Sequence, residues 1–181
     1  MRKFFYAVIY ITLAVVGATS CGDDNNWEEY ENWRMANTEW YNQQLNRKNT
    51  DGTPYFTVLQ PAWYPQSGVL IHYFNDRALT QNNLQPLVTS HVTVKYHGRL
   101  YNDIGFDSTT VGADSVRTFS LSEVVTGWKI ALTHMHVGDS AEIVIPYEQG
   151  YGYSGSGSSV PPYSALKFNI GLKDVPAYVV P

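Results

Sequence analysis

The segment Leu166-Lys167-Phe168-Asn169-Ile170-Gly171-Leu172 places an apolar side chain at every second position. A period of two fits a strand with one face on a core, because successive strand side chains point to opposite sides. Ala141, Ile143 and Ile145 repeat the pattern, and so do Val92, Val94 and Tyr96. Gly68 to Phe74 reads as a strand with a more continuous apolar run. One short stretch breaks the period: Trp128, Leu132 and Met135 stand at i, i+4 and i+7, one face of a helix. Several antiparallel strands with one short helix imply an α+β domain, a half-wrapped sheet with the helix on its concave side.

The N-terminal end follows other rules. Arg2-Lys3 precede an apolar run from Phe4 to Val16, short for a membrane-crossing helix and of the length of a signal segment. Gly17-Ala18-Thr19-Ser20 then lead to Cys21, the single cysteine of the chain. A lone cysteine makes no internal disulfide. Its position after small residues resembles a bacterial lipobox, although Ala18 stands where Leu is favoured. That resemblance implies removal of residues 1–20 and acylation of Cys21, hence a lipid anchor in the cell envelope, on the outer membrane. Ordinary signal cleavage is the alternative. Loss of Arg2 and Lys3 takes the charge to 10 − 16 = −6.

Residues 21–66 are expected to form a tether, a helix and a connecting segment ahead of a domain over 67–181. Trp27 to Leu45 contains no Gly or Pro, and Tyr30, Trp33, Trp40, Tyr41 and Gln44 fall within one helical arc. The stripe either packs on the chain's own domain or presents a partner or dimer surface, and packing is the preferred reading.

Composition removes some function classes. With 44% hydrophobic and 15% charged residues the chain is globular. A formal charge of −4 argues against a sequence-independent grip on nucleic acid. Fourteen Tyr and five Trp suit surfaces that hold apolar groups. His134 and His136, two residues apart at a helix end with no Cys or carboxylate cluster beside them, read as a solvated terminus rather than a metal site. Ser154 to Ser159 lacks the Lys-Ser/Thr ending of a phosphate loop, and no serine has a G-x-S-x-G context.

What remains is a series of short motifs. Tyr96-His97-Gly98 is followed by Gly105-Phe106-Asp107-Ser108, then by Phe119-Ser120-Leu121 and Val124-Val125-Thr126-Gly127-Trp128. Val137-Gly138-Asp139, Ile145-Pro146-Tyr147-Glu148-Gln149-Gly150-Tyr151-Gly152 and Val160-Pro161-Pro162 before Ala165 complete the series. In order and spacing it resembles an FKBP-type peptidyl-prolyl isomerase domain, over about residues 87–174.

The resemblance implies a five- or six-stranded antiparallel sheet wrapped around a short helix, and rotation about X-Pro bonds in exported polypeptides. It implies that Trp128 is the floor under a proline ring, with Tyr96, Phe106, Val124, Val125, Val160 and Phe168 as walls. Asp107 matches a buried carboxylate facing the pocket, and the Val125 N–H and the Tyr151 hydroxyl match donors to ligand carbonyls. Trp128, Asp107 and Tyr151 are thus the expected catalytic residues, with proline-containing polypeptides as partners and neither cofactor nor metal required. Macrolide inhibitors that bind the family are a further expected ligand class. Two departures favour a more open pocket: Arg117 replaces a wall aromatic, and Ser159 replaces an apolar loop residue. They keep a non-catalytic peptide-binding or chaperone module as the alternative, with an adhesin-like scaffold as a third reading.

Overall fold

A computed structural model describes residues 24–109 and 115–178. The signal segment and Cys21 lie outside the described residues. Helix α1 spans Asp24–Leu45 and is followed by strands β1 (Thr57–Leu59), β2 (Val69–Tyr73), β3 (His91–Leu100), β4 (Gly105–Ser108) and β5 (Arg117–Ser120). Helix α2 (Thr126–Leu132) precedes β6 (Ser140–Ile145) and β7 (Leu166–Ala177). The strands form one antiparallel sheet in the order β1-β2-β6-β7-β3-β4, with β5 also paired to β3. This α+β sheet has seven strands rather than five or six, because the connecting segment ahead of Gly68 supplies β1.

The period-two residues turn the same way. Val92, Val94 and Tyr96 of β3, Ala141, Ile143 and Ile145 of β6, and Leu166, Phe168, Ile170 and Leu172 of β7 are all buried. They share one core cluster with Trp128, Ile130, Ala131 and Leu132 of α2 and with Met135 beyond its end. Gly127 sets how closely α2 approaches the sheet. A Cβ there would stand 2.7 Å from Ile145 Cδ1, too close for any side chain. Its role is close packing.

The other face of the sheet explains the continuous apolar run of β2. Leu70 of β2 and Val144 of β6 point away from α2, yet neither is exposed to solvent. They form a second cluster with Phe56, covered by Trp40 and Tyr41 of α1 and by Tyr55. Tyr55 also stacks on His72 at 3.8 Å, and the Arg47 guanidinium lies 3.7 Å from the Tyr55 ring centroid. The aromatic stripe of α1 therefore packs on the chain's own domain. Trp33 meets Tyr101 edge-on at 5.1 Å and donates to Ser164 Oγ at 3.3 Å, while Tyr41 donates to Gly68 O. Tyr30 stays exposed. At the centre is a polar plug. Asn37, 1% exposed, donates to Trp33 O and accepts from Ala165 N, both at 2.8 Å. The second bond satisfies a backbone donor that burial would otherwise leave without a partner.

Candidate active site

Trp128 lies in the first turn of α2 and is 4% exposed. Three rings meet its indole edge to face: Tyr96 at 5.0 Å and 84°, Phe168 at 5.2 Å and 76°, and Phe119 at 5.5 Å and 86°. Phe106 meets Phe168 in the same way at 5.4 Å. The positive ring edge on the negative ring face favours these arrangements, each by about 0.5–1.5 kcal/mol beyond burial. Gly98 makes room for the last pair, since a Cβ there would stand 2.6 Å from Phe168 and 2.8 Å from Phe106.

The rings and the indole line a hollow of about 220 Å³, completed by Asp107, Glu123, Val124, Val125 and Tyr151. A larger hollow of about 800 Å³ lies around Trp63 and Leu84, but no ionisable side chain other than His134 and Tyr178 lines it. The small hollow combines a buried indole floor with carboxylate and hydroxyl groups among its lining residues. Val125 caps α2 without a side-chain hydrogen bond, and its N–H has no partner among the described residues. The buried indole Nε1 of Trp128 has none either.

Polar contacts gather on the Asp107 side. The Tyr96 hydroxyl donates to Asp107 Oδ2 at 2.6 Å and accepts from Arg117 Nη1 at 3.1 Å. Arg117 Nη1 also lies 3.5 Å from Asp107 Oδ1. Burial, followed by the Asp107 carboxylate, pushes the Tyr96 hydroxyl up to about 12. Tyr151 is also pushed up, first by burial and then by Asp107, so it is a protonated donor at neutral pH.

Asp107 corrects one expectation: its side chain is 48% exposed rather than buried. A guanidinium that is itself 54% exposed stands beside the carboxylate. Val160 corrects a second. It is buried in the core cluster, bridged to Ser156, and does not line the hollow. Tyr96, Phe106, Asp107, Val124, Val125, Trp128, Tyr151 and Phe168 do come together around it. Phe119 and Glu123 join them unforeseen. Phe119 was legible in principle, since it sits opposite Val92, one of the alternating core residues of β3.

The histidine pair is not a solvated helix end. His134 Nδ1 donates to Ile130 O at 2.7 Å, and its carbonyl accepts from Tyr73 and Arg77. His136 Nδ1 accepts from Arg77, which pairs with the fully buried Asp139 carboxylate at 3.5 Å. Among the described residues no group of three or more His, Cys, Asp or Glu is placed to hold a metal ion.

The family model for FKBP-type peptidyl-prolyl cis-trans isomerases matches residues 83–173, which is 91 of the 181. The chain belongs to this family. It is 39% identical over 90 residues to the FKBP-type 22 kDa peptidyl-prolyl cis-trans isomerase of Escherichia coli, covering 50% of this chain and 43% of that protein. It is 39% identical over 90 residues to the peptidyl-prolyl cis-trans isomerase Mip of Coxiella burnetii, covering 50% and 39%. The match thus spans less than half the length of these FKBP-type relatives. Among solved structures, a peptidyl-prolyl cis-trans isomerase from Pseudomonas syringae superposes with a TM-score of 0.64 at 27% identity, covering 80% of this chain and 94% of that one. FkpA from Escherichia coli superposes with a TM-score of 0.68 at 21% identity, covering 86% and 64%, a likeness of fold.

Proposed function

We propose that the protein is a peptidyl-prolyl cis-trans isomerase that binds the proline ring of a polypeptide on Trp128 and speeds rotation of the preceding amide. The observation that carries this reading is the closed set of ring edges around Trp128 with hydroxyl and amide donors only at the rim. Rotation about a peptide C–N bond faces a barrier of about 18–20 kcal/mol, because resonance stiffens the bond. Lowering it requires no proton transfer and no nucleophile. The planar amide is charge-separated and better solvated by water than the twisted one. An apolar cleft therefore favours the twisted form relative to the planar one. The Val125 N–H and the Tyr151 hydroxyl supply donors to the carbonyls of the bound chain. Each adds to rate only where its hydrogen bond strengthens as the amide twists. Asp107 holds Tyr96, and with it one wall, through the 2.6 Å hydrogen bond.

The clients are proline-containing polypeptides in the cell envelope. Cys21 is the lipid attachment point, and the outer membrane is the site of action. Among the described residues no helix is long and apolar enough to cross a membrane. Macrolides of the kind that bind the family enter the same hollow, weakened where Arg117 replaces an aromatic wall.

Refolding of a protein whose slow phase is limited by an X-Pro bond tests the activity. The slow phase shortens in proportion to added protein. An unchanged slow phase at all concentrations contradicts it. Cys21→Ala releases the protein from membranes if the anchor is there, and unchanged membrane retention counts against it.

A further inference from the structure

Arg117 brings a cation to the edge of a cleft whose floor and walls are rings and valines. Among the described residues only its Nη1 makes hydrogen bonds, to Tyr96 Oη at 3.1 Å and Asp107 Oδ1 at 3.5 Å. A guanidinium has five donors in a fixed fork and stays charged at any physiological pH. The Arg117 guanidinium carbon also lies 5.5 Å from the Phe119 ring centroid, and 54% of the side chain is exposed. The bond to Asp107 is long for a charge-assisted contact, which is typically about 2.7–2.9 Å, so that carboxylate only partly neutralises it. Both Asp107 oxygens are engaged, one by Tyr96 and one by Arg117.

From this geometry we infer that Arg117 selects substrates carrying a carboxylate side chain next to the proline, an acidic class of X-Pro or Pro-X segment. The inference rests on the prolyl-isomerase reading of the cleft. Glu123 opposes this selection from the Val124 side of the hollow and takes part in none of the ion pairs among the described residues. Glu123 therefore reduces the preference without supplying it.

The test compares kcat/KM for short peptides that differ only in Glu against Gln, placed immediately before or immediately after the proline. Glu and Gln are of equal size, so the ratio reads charge alone. The wild-type protein favours Glu at one of the two positions by about two- to five-fold, the span of exposed ion pairs, and the ratio falls toward one in high salt. Arg117→Gln abolishes the preference, Arg117→Lys keeps part of it, and Glu123→Gln raises it. Lys48→Gln, which removes one positive charge from the hairpin after α1, leaves the ratio as it was. A wild-type ratio of one or below at both positions overturns the inference, as does a ratio that survives in Arg117→Gln. If no peptide is accelerated, the isomerase reading fails separately. The same Glu-to-Gln ratio, measured as peptide dissociation constants by calorimetry, then decides the selectivity.

Discussion

The Tyr96 hydroxyl donates to Asp107 Oδ2 at 2.6 Å, and Arg117 closes the triangle through Nη1. Three strands meet in this contact: Tyr96 lies on β3, Asp107 on β4 and Arg117 at the start of β5. A double-mutant cycle with Tyr96→Phe and Asp107→Asn measures the link. The expected coupling in folding stability is about 1 kcal/mol, since a hydrogen bond to a charged acceptor is strong but this one is half exposed. A coupling near zero would mean that the carboxylate does not hold the wall.

The same hydroxyl sets a pH dependence. Its folded pKa of about 12 lies above the unfolded tyrosine value, with burial as the largest cause. Stability from the neutral form is therefore complete below pH about 10 and is lost as pH rises through about 10 to 12. Tyr41 and Tyr73 are also pushed up to about 12, mainly by burial, so the wild type loses stability steeply in that window. Tyr96→Phe removes one share of the slope in urea-unfolding curves taken between pH 9 and 12. An unaltered slope in that variant contradicts the assignment.

The reach of sequence reading followed the size of each signal. Alternation at 141–145 and 166–172 exposed β6 and β7 directly, because a strand buried on one face must sort its side chains by parity. The i, i+4, i+7 set found α2, with Met135 in the same core just past the helix end. Leu70 and Val144 could not be placed, since their burial depends on Trp40 and Tyr41 of α1, which lie far from both in the chain. Asn37 was hidden for a related reason: a polar residue inside an aromatic stripe gives no apolar signal, and its partner Ala165 is 128 residues distant. At the site, ring residues with fixed motif neighbours were legible, whereas the exposure of Asp107 was not. Its surroundings are set by tertiary contacts, including Arg117, which reaches it from another strand.

Asn37→Ala tests whether α1 belongs to the domain energetically. It leaves the Ala165 N–H buried without an acceptor and removes a side chain that is 1% exposed. The expected loss is about 2 kcal/mol in chemical unfolding, the cost of an unsatisfied buried donor with its lost packing. A change below about 0.5 kcal/mol would show that α1 rests on the sheet without supporting it.

Gly127→Ala addresses the fit of α2 against β6. The added Cβ meets Ile145 closer than van der Waals contact allows, so helix and strand must separate. Destabilisation of about 1–3 kcal/mol is expected, although Ala favours helix by about 1 kcal/mol. A stabilised variant would mean that α2 has slack against the sheet. Because Trp128 follows directly, near-ultraviolet circular dichroism of the variant reports displacement of the floor as well.

Acceleration of rotation about X-Pro bonds by the Trp128 cleft can be measured directly. The most direct measurement is the cis/trans exchange rate of a short Leu-Pro peptide by magnetisation-transfer NMR, with catalytic amounts of purified protein. Uncatalysed exchange takes about 10–100 s at 25 °C, so acceleration is easily resolved. Exchange is expected to quicken linearly with protein concentration. Tyr151→Phe lowers the effect by about two- to ten-fold, the worth of one neutral hydrogen bond. Exchange indistinguishable from buffer, or a Tyr151→Phe variant and an Asp107→Ala variant both as active as the wild type, would contradict acceleration by the Trp128 cleft.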